Sequence, residues 1–158
     1  MGVDDRSRGD LRAELKALRT RNQELQLQVE ELEETRAKLA MSEERLTRLF
    51  AAAPFALFLE TVAGMIVDCN PRAVEMLGYK RDELIGMHIS KLMPTDVANT
   101  LPELVDEQLM MGGTFVKATN VRKNGEQFPV EVSTRLVNLV EGKHVFVVVR
   151  DLSASDDR

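Results

Sequence analysis

"VDCNPRAVEMLGY", Val67 to Tyr79, holds the chain's single cysteine and single tyrosine on either side of an Asn-Pro pair. It can be read as a thiol placed near a phenol for chemistry, or as the point where a strand ends and a helix begins. Asn70 is a favoured helix N-cap, and Pro71 suits the first helical position, where a missing N–H costs nothing. Ala73, Val74 and Leu77 supply an apolar side, and Gly78 is a natural stop. A reactive thiol would need a base or a positive field beside it. The two histidines, His88 and His144, are not placed there by sequence. Cys69 and Tyr79 are therefore expected to be structural, as are His88 among apolar neighbours and His144 beside a turn.

Outward from this stretch, the pattern is mixed strand and helix. Pro54 ends a preceding helix, an apolar strand follows over about 56–62, and Gly64 turns into the strand "MIVDC". Beyond Gly78, short helices run through "RDELIGMHISKLMP". Pro94-Thr95-Asp96 then opens a longer helix carrying Leu101, Leu104, Val105 and Leu109, with Pro102 in its first turns or at a kink. Gly112-Gly113 ends the helical part. "TFVKATNVR" and "QFPVEVSTRLV" are strands joined by "KNGE", whose Asn124-Gly125 predicts a type I′ hairpin turn. Phe128, Val130, Val132, Thr134 and Leu136 share one face of the second strand. The last strand, "HVFVVVRDL", is apolar on both faces and is expected to be central and covered on both sides. Internal helices would cover one side, and the helix before the domain, or a second subunit, the other.

The N-terminal third is of another kind. Residues 10–50 contain no Gly or Pro, and Leu11, Leu18, Leu25, Leu32, Leu39 and Leu46 recur every seven residues. With these at heptad position d, position a is filled by Leu15, Asn22, Val29, Arg36, Glu43 and Phe50. That is a coiled-coil seam about 60 Å long. Leu at d with a single Asn at a favours a parallel pair, because two facing Asn22 amides satisfy each other only in register. Glu14 can meet Arg19 of the other chain in the same arrangement. Leu11, Leu15, Leu18, Asn22, Leu25, Val29, Leu32, Leu39, Leu46 and Phe50 are the expected dimerisation residues. Arg36 and Glu43 weaken the seam where the domain begins, which makes them candidates for signal transmission. A basic-region zipper would need a long basic helix first; here Arg6 and Arg8 are offset by Asp4 and Asp5.

Composition limits function further. The chain has 158 residues, 44% hydrophobic and 30% charged, which is enough to pack a core. A net charge of −5 argues against broad nucleic-acid binding. No run reaches the roughly 20 apolar residues of a membrane span. Position 6 is Arg where a myristoylation signal needs Ser or Thr, and no secretory signal is visible. The expectation is a cytoplasmic protein with no membrane contact. No Cys-x-x-Cys or comparable metal spacing occurs.

The order strand, strand, helices, three antiparallel strands resembles the PAS sensory fold. "CNPRAVEMLGYKRDELIGM" looks like the family's second strand and following helices, with Asn70, Ala73, Gly78, Tyr79, Glu83, Leu84 and Gly86 in the matching places. "RKNGEQFPVEVS" is similar to its Arg-Lys-Asp-Gly hairpin, with Asn124 in the Asp place. "RDLS" is similar to its Asp-Ile-Thr exit motif, with Leu152 and Ser153 as departures. The resemblance covers about residues 43–153. It implies an α+β fold with a five-stranded antiparallel sheet and flanking helices, dimerisation, and signalling through adjoining coiled coils. The expected organisation is a flexible 1–9, a coiled coil 10–50, a PAS domain 51–153 and a flexible 154–158.

The resemblance also frames the cofactor question. Between Pro94 and Gly113, where the haem-binding members place a histidine, there is none. The Asn-Cys-Arg-Phe-Leu-Gln run of photoactive flavin members is absent, and so is Trp. No cofactor is expected. Apolar periodicity fits a filled core as well as a pocket. If there is a pocket, its candidate lining is Val74, Leu77, Leu101, Val105, Val130, Val132, Phe146 and Val148. The reading is a dimeric module that passes a ligand- or partner-dependent change along the zipper or out through Asp151, without catalysis. Its expected partners are a second copy and a small apolar ligand, with the effector unidentified. The rival is a structural PAS dimerisation module that binds no signal.

Overall fold

A computed structural model describes residues 3–99 and 110–153, with side chains from residue 7 onward. The chain divides into two compact units, Met1–Thr47 and Arg48–Arg158. Helix α1, Val3–Ala52, provides the described part of the first unit and leads into the second. It begins at Val3, so residues 3–9 are helical where a flexible end is expected. Local pairs such as Arg21–Glu24 and Glu34–Lys38 lie on its exposed surface, each adding about 0.2–0.5 kcal/mol to the helix. Its leucine row is bare in the single chain: Leu11, Leu18, Leu25, Leu32, Leu39 and Leu46 are all between 45% and 69% exposed. No described helix is long and apolar enough to cross a membrane.

The second unit is built on five strands: β1 (Ala56–Thr61), β2 (Ile66–Cys69), β3 (Gly113–Val121), β4 (Gln127–Leu139) and β5 (Gly142–Asp151). They form one sheet in the order β2-β1-β5-β4-β3, with every pairing antiparallel. The strand that is apolar on both faces, β5, is the central one, as expected. Helices α2 (Pro71–Leu77), α3 (Arg81–Leu84) and α4 (Thr95–Ala98) and a 3-10 turn (Ile89–Leu92) lie between β2 and β3 in sequence. Ala73, Leu77, Leu84 and Leu92 from this segment join Phe58, Ile66, Phe128, Val130, Val147 and Val149 in the core. The rest of the expected longer helix after Pro94, with Leu101, Pro102, Leu104, Val105 and Leu109, lies outside the described residues, as does 154–158.

Local chemistry explains the boundaries. Asn70 caps α2 by accepting from the Ala73 N–H, Pro71 takes the first position, and left-handed Gly78 closes the helix onto the Val74 carbonyl. At α3 the Glu83 carboxylate reaches back to the Lys80 N–H at 2.8 Å. The β3–β4 connection corrects a sequence expectation. A type I′ turn needs Asn124 at positive φ, yet no described residue other than glycine has one. The Gly125 N–H instead bonds the Arg122 carbonyl, and Gly125 follows at φ +86°. This is a type I-like turn closed by a left-handed glycine. The Asn124 side chain holds it there by accepting from the Glu126 N–H at 3.0 Å.

Candidate functional site: a cavity on the inner face of the sheet

Strand register decides which side chains meet behind the helices. Val145, Val147 and Val149 of β5 pair with Leu136, Thr134 and Val132 of β4 on one side, and with Glu60, Phe58 and Ala56 of β1 on the other. Except for Ala56, these residues line a cavity of about 130 Å³, together with Val116, Ala118, Asn120, Ile89, Leu92, Met93 and Val97. The wall is mostly apolar. Its buried polar members are Glu60, Asn120 and Thr134. Thr134 is held by Thr114, whose N–H donates to the Thr134 hydroxyl at 3.0 Å. Asn120 belongs to the far end of β4's pairing, opposite Phe128.

Glu60 is the unusual group. It is 7% exposed, and its neighbours in the sheet are Val145 and Ile66. Among the described residues nothing donates a hydrogen bond or brings a positive charge to it. Burial alone therefore acts on its carboxyl, pushing the pKa up to about 8.

A second feature ties this sheet to the end of α1. The Asn70 side chain is fully buried. Its Oδ1 accepts from the N–H groups of Leu57 (2.9 Å) and Ala73 (3.1 Å), and its Nδ2 donates to the carbonyls of Phe50 (3.2 Å) and Phe55 (2.9 Å). One amide thus joins the last turns of α1, the start of β1 and the start of α2. At the end of β5, Asp151 is held by Arg122 at 2.8 Å. Burial raises the Asp151 pKa, but hydrogen bonds from Ser153 and Arg122 outweigh it and hold the carboxyl below its usual value. Arg122 also donates to the Met76 carbonyl and lies 3.7 Å from the centre of the Phe128 ring.

The expected pocket residues fall in different surroundings. Val132 lines the cavity. Leu77 and Val130 are fully buried in the core, and Val74 packs against it. Alternation puts Phe146 and Val148 on the opposite face of β5, so Val145, Val147 and Val149 take the cavity side. Leu101 and Val105 lie outside the described residues. Cys69 is buried, and burial pushes its thiol up, opposed in part by Arg81. Tyr79 packs against the core with the Lys123 ammonium 5.7 Å from its ring centre. Sequence reasoning missed Glu60, Val145, Val147 and Val149.

Comparison with known proteins agrees with this architecture. A family model described as PAS domain matches residues 54–154. The methyl sulfide methyltransferase-associated sensor of Methanosarcina acetivorans is 28% identical over 116 residues, 73% of this chain and 12% of that protein. A probable serine/threonine-protein kinase of Dictyostelium discoideum is 32% identical over 79 residues, 50% of this chain and 5% of the kinase. The chain thus spans only a small part of these relatives. Among solved structures, the PAS domain of an HTR-like protein from Haloarcula marismortui superposes with a TM-score of 0.69 at 22% identity, covering 75% of this chain and 98% of that one. The PAS domain of a LuxR-family transcriptional regulator from Burkholderia thailandensis, in complex with ethanol, gives 0.58 at 25% identity, covering 67% and 96%.

Proposed function

This chain belongs to the PAS domain family, and from that premise we propose that it is a dimeric sensory module without catalysis of its own. The state of the sheet cavity, set by a ligand or a partner, is passed to the coiled-coil helix. It acts in the cytoplasm, without nucleic-acid or membrane contacts. The observation that carries this reading is the Asn70 junction. β1 places Phe58 and Glu60 at the cavity, and the same strand begins at an amide that also holds the Phe50 carbonyl. A shift of β1 therefore strains four hydrogen bonds, one of them to α1. The exposed leucine row supports pairing, since six leucines bare to water have apolar area to bury. Asn22 favours a parallel register. Arg36 and Glu43 keep the seam marginal near the domain, and Asp151 is the second exit. The ethanol complex of the Burkholderia PAS domain supports a small occupant.

One observation favours a second reading, a dimerisation module that binds no signal. The cavity, at about 130 Å³, is smaller than the ~300–1,000 Å³ of common ligand sites. Two measurements test the proposal. Light scattering should give twice the mass of the chain at micromolar concentration, and a monomer would remove the coiled-coil reading. Thermal melts against small molecules should show a saturable rise for at least one class. A melting temperature unmoved by any of them leaves the purely structural reading.

A further inference from the structure

Resting on the sensory reading, we infer that the cavity takes a small organic cation, a primary amine with a short apolar body, whose ammonium pairs with the Glu60 carboxylate. The geometry supports a cation first. Glu60 is more than nine-tenths buried, lines the cavity, and has no hydrogen-bond or ion-pair partner among the described residues. No other described residue of the lining is charged: β2 and β5 present Ile66 and Val145 to Glu60, the 3-10 turn contributes Ile89 and Leu92, and α4 contributes Val97. The nearest histidines are engaged elsewhere, His88 with the Ala63 carbonyl and Ser90, His144 with the Gly142 carbonyl. A single positive charge is therefore what the site lacks. An anion would meet a carboxyl and no cation. A neutral alcohol could hydrogen-bond but would leave Glu60 uncharged.

Size limits the ligand. An apolar cavity of about 150 Å³ accommodates benzene, so 130 Å³ corresponds to roughly six non-hydrogen atoms. The aliphatic part would lie against Phe58, Ile89, Val145 and Val147. The other buried polar members of the lining, Asn120 and Thr134, carry the acceptors for the remaining N–H groups, the Thr134 hydroxyl already taking the Thr114 N–H. A buried ion pair is retained only if such bonds are made.

The proton balance gives the inference a signature. At neutral pH the empty site holds a protonated carboxyl, because burial pushes the Glu60 pKa up to about 8. Binding of an alkylammonium ion forms carboxylate and ammonium in contact, and the carboxyl proton leaves to the buffer. Binding should release close to one proton at pH 6–7. Apparent affinity should rise about tenfold per pH unit and level off above about pH 8.

The test is calorimetry of the full chain with n-butylamine, n-butanol and butyrate, at pH 6, 7 and 8.5, in two buffers of different ionisation enthalpy. Saturable butylamine binding with that proton release and pH slope is the expected result. Glu60→Gln should weaken it at least tenfold and remove both signatures. If that variant does not fold, the preference of the parent chain for butylamine over butanol and butyrate decides. Butanol binding as tightly as butylamine, or Glu60→Gln binding butylamine as tightly as the parent chain, overturns the amine assignment and leaves the sensory reading standing. Binding of none of the three overturns the amine assignment too. The sensory reading falls with it only if no other small molecule stabilises the chain.

Discussion

Asn70 has two lone pairs and two amide protons, and all four reach backbone groups. Asn70→Ala would leave those buried groups short of partners, at about 1–3 kcal/mol for each that water cannot reach. Urea unfolding should show a loss of at least about 3 kcal/mol, well beyond that of losing an exposed cap. The sequence reveals the cap to Ala73, three residues on, because capping is local. The bonds to Leu57, Phe55 and Phe50 cross 13 to 20 residues of chain and leave no local pattern. Glu60 was hidden for a related reason. A glutamate ending an apolar strand ordinarily faces water, and only the register with Val145 turns it inward. Its folded-state pKa is raised to about 8 from an ordinary value of 4.5. It therefore contributes no penalty below about pH 4.5, and stability falls as the pH rises through 8. Glu60→Gln should accordingly leave the unfolding free energy from urea titration nearly unchanged at pH 5 and raise it at pH 8.5 by an amount on the order of a few kcal/mol.

At the scale of elements, β5 shows what alternation can and cannot decide. Its apolar run marks it as central, and it is. The same uniformity hides which parity faces the cavity: Phe146 and Val148 are as apolar as Val145, Val147 and Val149, so only pairing with β4 distinguishes them. In β4, where polar and apolar residues alternate, the inward positions Phe128, Val130 and Thr134 could be read directly and are buried. Helix α1 was legible over residues 10–50, which nothing interrupts, but not in its start at Val3. Its pairing is open to test. Leu25→Ala and Leu32→Ala should each destabilise the assembly by roughly 2–5 kcal/mol if the site is buried between chains. Sedimentation equilibrium should then show a weaker dimer. The charged a positions predict the opposite sign. Replacing Arg36 and Glu43 with Ile or Val should raise thermal stability by removing charges from the seam. Interchain spin-label distances near residues 36 and 43 should then stop responding to ligand. Equal distances with and without ligand in the parent chain would remove the case for a switch there.

For the whole molecule, the sheet has two unlike ends. β2 is four residues long and closes one end, whereas β3 runs for nine residues and pairs only with β4 among the described strands. Its other side carries a row of backbone donors and acceptors, flanked by Phe115 at 68% and Val116 at 42% exposure. An edge of that length is a template for strand addition by another chain, and Lys117 in its middle is a charge of the sort that blocks such pairing. Lys117→Val would leave "TFVVATNV" without a charge. Light scattering at 37 °C should then show faster aggregation, while the melting temperature changes little. Pairing through α1 would sharpen this hazard: two tethered edges meet at effective concentrations on the order of millimolar. A zipper that paired two copies would also concentrate their stickiest strand, and one lysine per chain would then guard solubility.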